Sequence, residues 1–80
     1  MAAITILGGG GWGTALSVLL AGKGHKVTLW VRRSSTAELL RRDRTNERHL
    51  PGVILPADVH ITSSFAGMSS AEYFLWATPR

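Results

Sequence analysis

The chain has 80 residues, a formal net charge of +4, no cysteine, and three histidines (His25, His49 and His60) set far apart. A chain this short makes one small domain that buries about 60–65% of its unfolded surface. Disulfides and thiolate metal sites are excluded, no metal-ligand spacing is present, and the modest basic excess suits an anionic ligand without demanding nucleic acid.

Ala3 to Leu7 reads as a first strand, nearly all apolar, as a parallel strand covered on both faces should be. It runs into Gly8-Gly9-Gly10-Gly11-Trp12-Gly13, after which Ala15, Leu16, Leu19 and Leu20 recur at helical spacing. Read as G-x-G-x-x-G, the glycines are Gly8, Gly10 and Gly13, and each answers a different steric demand. Gly8 turns the backbone sharply out of the strand. Gly10 lets a dinucleotide pyrophosphate approach the main chain, and Gly13 lets the first helical turn pack closely on the sheet. The unpaired N–H groups of that turn then face the phosphates. Four consecutive glycines also fit a flexible linker, but a strand before and a helix after favour the phosphate-binding loop. Trp12 either covers a bound cofactor or plugs the top of the helix.

Lys23 suits the negative end of the first helix and Gly24 a left-handed cap. Val27 to Val31 is a short, β-prone second strand, completing a strand–helix–strand unit with parallel strands. Ser34, Ser35 or Thr36 can cap a second helix, with Glu38 three residues after Ser35 as in a capping box. That helix is expected to run through an Arg-rich end near Asn46, with Leu50-Pro51-Gly52 stopping it and Pro56 keeping the next segment irregular. Val59 to Thr62 is a third strand, Ser63 to Ser70 a weak helical turn, and Tyr73 to Ala77 a continuously apolar fourth strand. Trp30 and Trp76 read as core residues at strand ends. The fold class is α/β, a doubly wound parallel sheet in the order 3-2-1-4. The reversal after the third strand opens a crevice at the carboxyl ends of the first and fourth strands, beside the glycine loop.

An acidic residue at the end of the second strand would accept bonds from a ribose 2′-hydroxyl. Arg32 and Arg33 stand there instead, with Ser34 and Ser35 beside them. Guanidinium forks suit a 2′-phosphate, so NADP(H) is the preferred cofactor and NAD(H) stays open. The plainer alternative makes both arginines solvated charges. The run from Arg41 to His49 contains Asp43 and Glu47 and no aromatic, which argues against nucleic acid. It reads as a solvated helix end in which Asp43 repels Glu47 and Arg44 repels Arg48. No apolar run approaches the roughly 18 residues of a membrane span. Ala15 to Gly22 has the composition of a signal-peptide core, but no basic residue precedes it, and a soluble cytoplasmic chain is expected.

Leu7-Gly8-Gly9-Gly10-Gly11-Trp12-Gly13-Thr14-Ala15-Leu16 resembles the start of the bacterial-type NAD(P)-dependent glycerol-3-phosphate dehydrogenases. Gly24-His25-Lys26-Val27-Thr28-Leu29-Trp30, Arg44-Thr45-Asn46, and Leu50-Pro51-Gly52-Val53 with Leu55-Pro56 resemble that family too. The combination of W-G-T-A-L with N-x-x-x-L-P-G is more specific than the glycines alone. The resemblance implies a Rossmann-type fold, here its first half over residues 1–80, with a dinucleotide along Gly8 to Gly13. Gly11, Trp12, Arg32, Arg33 and His49 take family positions that lie at the cofactor. It also implies interconversion of dihydroxyacetone phosphate and sn-glycerol 3-phosphate, feeding phospholipid synthesis.

Gly9 and Gly11 replace the family's usual small side chains, which should loosen the loop. His49 replaces an aromatic, Arg80 stands where Ser or Thr is common, and Trp76 is bulky for its position. The family's catalytic and substrate-binding lysines fall beyond position 80, in segments that include a helical C-terminal substrate domain. The expectation is therefore no catalytic residue and no metal ligand in this chain, and no turnover by it alone. Two further readings stay beside the enzymatic one: a dinucleotide-binding module without chemistry, and an interaction fragment or homodimer pairing through an exposed sheet edge.

Overall fold

The computed structural model describes residues 2–65 and 71–77. In chain order the elements are β1 (Ala3–Leu7), α1 (Gly11–Gly22), β2 (Lys26–Trp30), α2 (Ser34–Asp43), β3 (Thr45–Asn46), β4 (Leu50–Ile54), β5 (His60–Thr62) and β6 (Tyr73–Trp76). Four of the strands form one parallel sheet in the order β5-β2-β1-β6, so the expected 3-2-1-4 arrangement holds. The other two, β3 and β4, pair antiparallel as a small hairpin.

Register decides which residues share a face. Ile4 lies beside Val27, Ile6 beside Leu29, and Leu29 beside Ile61, which puts the branched side chains of three strands on one surface. All five are buried, and Leu16 and Leu20 of α1 pack against the same cluster as Ala37 and Leu40 of α2. Burying a branched aliphatic side chain contributes about 1.5–3 kcal/mol, so this layer is the main source of cohesion. The helix α1 ends as expected: Lys23 and Gly24 donate N–H bonds to Leu20 (3.1 Å) and Ala21 (3.0 Å). Gly24 takes φ +90°, which a side chain would resist.

Four expectations are corrected. The second helix stops at Asp43 rather than near Asn46, because Arg44 turns left-handed at φ 54° and its N–H closes on Leu40 O at 2.8 Å. Tertiary acceptors hold it there. Arg44 Nη2 donates to the carbonyls of Pro56 (2.6 Å) and Val59 (2.8 Å), and its own carbonyl accepts from Leu55 N–H at 2.6 Å. Arg44 is thus a bridge between segments and not a solvated helix charge. The stretch after it forms the β3–β4 hairpin, so the repulsive helical pairs Asp43–Glu47 and Arg44–Arg48 do not arise. Glu47 instead accepts the N–H of Gly52 at 2.8 Å. Pro51 is tolerated inside β4 because a two-stranded hairpin has only edge strands.

Neither Ser34, Ser35 nor Thr36 caps α2. The cap position is Arg33, with no side-chain cap bond, because packing of Ala37 and Leu40 on the sheet sets where the helix begins. Trp76 is not a core residue: it is 76% exposed on β6, and Tyr73, Phe74 and Leu75 are exposed with it. Trp30 is half-buried and stacks on Phe65 with ring centroids 5.1 Å apart. The helical turn expected over Ser63 to Ser70 falls mainly outside the described residues, as does Arg80, and Ser63 to Phe65 are not helical.

Candidate functional site

The loop between β1 and α1 stands where the sheet order reverses. Gly8 ends β1 at φ +126°, a conformation essentially limited to glycine, and its N–H donates to Trp30 O at 2.9 Å. On the other side, Ala77 N–H donates to Leu7 O at 2.9 Å. The glycine loop therefore sits over the carboxyl ends of β2, β1 and β6, in the crevice that topology predicts.

Its glycines differ in what a side chain would meet. A Cβ at Gly13 would run into the carbonyl oxygen of Gly8 and lie 3.3 Å from Ala77 Cβ, so the helix reaches the sheet only because that atom is missing. A Cβ at Gly10 would meet nothing within 4 Å, so the loop is open toward solvent there. Gly9 and Gly11 are not loose. A Cβ at Gly9 would strike the Val31 γ-methyl, and one at Gly11 would lie 2.6 Å from the His49 carbonyl oxygen. The space that small side chains would fill is taken up by Val31, just after β2, and by His49 in the hairpin turn, which corrects the expectation of a slack loop.

The helix α1 begins without a side-chain cap, with Gly10 at the cap position. The main-chain N–H groups of Gly10, Gly11, Trp12 and Gly13 have no acceptor among the described residues. They form a ready donor set for an anion, reinforced by the positive end of the helix dipole. Trp12 is 66% exposed, so its ring does not plug the top of the helix. Arg32 and Arg33 are exposed directly after Val31, the residue whose methyl touches the loop at Gly9. Neither guanidinium has a partner among the described residues. His49 has an exposed side chain, and its carbonyl lies nearest to Gly11.

All the expected site residues thus gather at one end of the sheet, on β1–α1, on the end of β2 and on the hairpin turn. The charge and spacing of the chain did not single out Asn46 or Thr14. Asn46 is 7% exposed and donates from Nδ2 to Gly9 O (2.7 Å) and to Thr14 Oγ1 (2.8 Å). Thr14 Oγ1 in turn donates to Gly10 O at 2.9 Å. Amid arginines and acids, a single Asn carries no periodic or charge signal of such a role. Among the described residues no group of three His, Asp or Glu side chains converges as a metal site, and no helix is long and apolar enough to cross a membrane.

A parallel sheet with this order, turned at its switch point by glycines into an uncapped helix, defines a Rossmann-type α/β unit. The profile of a family described as NAD-dependent glycerol-3-phosphate dehydrogenase N-terminus matches residues 3–80, and the chain belongs to that family. It is 46% identical over 77 residues to a curated glycerol-3-phosphate dehydrogenase of Chlorobium phaeobacteroides named for NAD(P)+, covering 95% of this chain and 23% of that protein. Against the crystal structure of glycerol-3-phosphate dehydrogenase from Coxiella burnetii the TM-score is 0.84 at 34% identity, over 94% of this chain and 23% of the other. The DsGPDH structure of Dunaliella salina shares the fold, with a TM-score of 0.71 at 24% identity over 98% of this chain and 18% of that one. The chain spans less than a quarter of the length of these relatives.

Proposed function

We propose that this chain is the dinucleotide-holding part of a glycerol-3-phosphate dehydrogenase that interconverts dihydroxyacetone phosphate and sn-glycerol 3-phosphate, in the cytoplasm, for glycerophospholipid synthesis. The observation that carries this reading is the open approach at Gly10 beside N–H groups without acceptors, in a chain of this family. The cradle fits a pyrophosphate: Gly10, Gly11, Trp12 and Gly13 supply main-chain donors, and no side chain at Gly10 stands in the way. Trp12, exposed in the first turn of α1, is assigned to cover the bound cofactor, and His49, which lies against Gly11, to flank it.

Arg32 and Arg33 are free to take a 2′-phosphate, which makes NADP(H) the preferred cofactor. When bound, the dinucleotide supplies the hydride carrier of the reaction. Among the described residues no side chain is assigned as a catalytic acid or base on substrate, so substrate turnover is assigned to segments that the longer relatives possess. By itself the chain binds dinucleotide and does not turn over substrate.

A titration following tryptophan fluorescence with NADPH and then NADH tests the reading, since Trp12 stands at the loop. Saturable quenching by either supports it, and no binding of either cofactor removes it. A second reading, pairing of two chains through β6, is favoured by the four exposed apolar residues of that edge strand. Sedimentation across a concentration series decides it, because a strictly monomeric chain rules it out.

A further inference from the structure

We infer that Asn46 is a positioning residue for the dinucleotide loop: its buried amide holds the Gly9 carbonyl inward, and through Thr14 Oγ1 the Gly10 carbonyl, and so turns the Gly10 and Gly11 N–H groups out toward a pyrophosphate. This rests on the dinucleotide reading above and adds to it a residue that lies outside the glycine motif.

The directions of the bonds follow from their chemistry. Gly9 O can only accept, so the Asn46 atom 2.7 Å away is the NH2 group, and its two hydrogens serve Gly9 O and Thr14 Oγ1 together. Thr14 Oγ1 receives one of them and spends its own hydrogen on Gly10 O at 2.9 Å, where Thr14 N–H also donates at 3.0 Å. The carbonyls of Gly9 and Gly10 are thus both tied to the protein side of the loop. In a trans peptide the C=O and the following N–H point in opposite directions. Tying Gly9 O inward therefore sends Gly10 N–H outward, and tying Gly10 O inward sends Gly11 N–H outward. Neither of these N–H groups has an acceptor among the described residues, and the space over Gly10 is open.

The loop needs such a restraint from outside. Four consecutive glycines have more backbone freedom than any other tetrapeptide, and no side chain of their own to fix peptide orientation. Asn46 comes from β3, a strand of only two residues, whose ladder is too short to place it independently. The hairpin and the loop hold each other through this one amide, together with the packing of the His49 carbonyl on Gly11.

The test compares the 80-residue chain with Asn46→Ala, Thr14→Val and Thr14→Ser. Each is titrated with NADPH and NADH by tryptophan fluorescence, at a temperature where circular dichroism shows every variant fully folded. Losing the aim of two donors onto a charged group should raise Kd about tenfold or more in N46A and T14V. T14S keeps the hydroxyl and should bind within about twofold of wild type. A purely structural role would lower the melting temperature and leave the Kd of the folded protein unmoved. A folded N46A that binds like wild type overturns the inference while the dinucleotide reading stands, and so does failure of both N46A and T14V to fold. Wild-type protein that binds neither cofactor overturns the dinucleotide reading itself, and the inference with it.

Discussion

Gly13 in the first turn of α1 stands directly against the carbonyl oxygen of Gly8, the residue that ends β1, with no room for a Cβ between them. This contact sets how closely the helix N-terminus approaches the sheet, and hence where its free N–H groups point. Gly13→Ala should force the helix off the strand and cost about 1–3 kcal/mol, a large part of a small domain's stability. Urea unfolding measures it. Gly10→Ala meets no atom within 4 Å and should change stability far less, yet weaken dinucleotide binding by filling the approach. Equal stability losses for the two would contradict this division of roles.

Arg44 should matter more than its charged neighbours. Arg44→Ala leaves the carbonyls of Pro56 and Val59 without their donor, an expected loss of about 2 kcal/mol or more. Arg42 pairs with Asp43 at 3.0 Å on the surface, where the bond and the nearby carboxylate raise its pKa. Arg42→Ala should leave the melting temperature nearly unchanged, since exposed pairs contribute little. The two melting curves, recorded side by side, give the answer.

Arg32→Ala combined with Arg33→Ala should leave folding intact, because both side chains are exposed and make no bond to the described residues. NADPH affinity should fall about tenfold or more while NADH affinity is nearly unmoved, as loss of a 2′-phosphate contact requires. Equal losses for both cofactors, or none for either, would make the arginines solvated charges.

Trp76 is the most exposed large apolar side chain among the described residues. Trp76→Lys should cost little stability and suppress any concentration-dependent association through β6, which sedimentation at several concentrations reads directly. An association constant unchanged by W76K would place the contact elsewhere.

The elements with strong local signals follow from the order of residues alone. An apolar β-branched run, a glycine turn, a helical stripe and a second β-prone run already define the β1–α1–β2 unit. Adding two further apolar runs predicts β5-β2-β1-β6, since parallel neighbours and a switch point leave few other arrangements. The steric demands at Gly8 and Gly13 follow from the same string, because each depends on a missing Cβ at a fixed place in the turn. The resemblance in W-G-T-A-L and N-x-x-x-L-P-G points to the family on residues 3–80, as the comparison bears out.

Where neighbours distant in the chain compete with local preference, the fold had the last word. The helix α2 should continue past Asp43 by propensity, but the carbonyls of Pro56 and Val59 capture Arg44 and turn it left-handed. Gly9 and Gly11 look slack by composition, yet Val31 and the His49 carbonyl fill their space. Trp76 looks like core by hydropathy and is exposed, because burial depends on what covers a strand and not on what the strand contains. Asn46 stands in the N-x-x-x-L-P-G motif, but its contact with the glycine loop is invisible until the hairpin brings it, across 37 residues of sequence, to the Gly9 carbonyl. Local residue patterns specify elements and turns; long-range hydrogen bonds and close packing select which of the permitted conformations each residue takes.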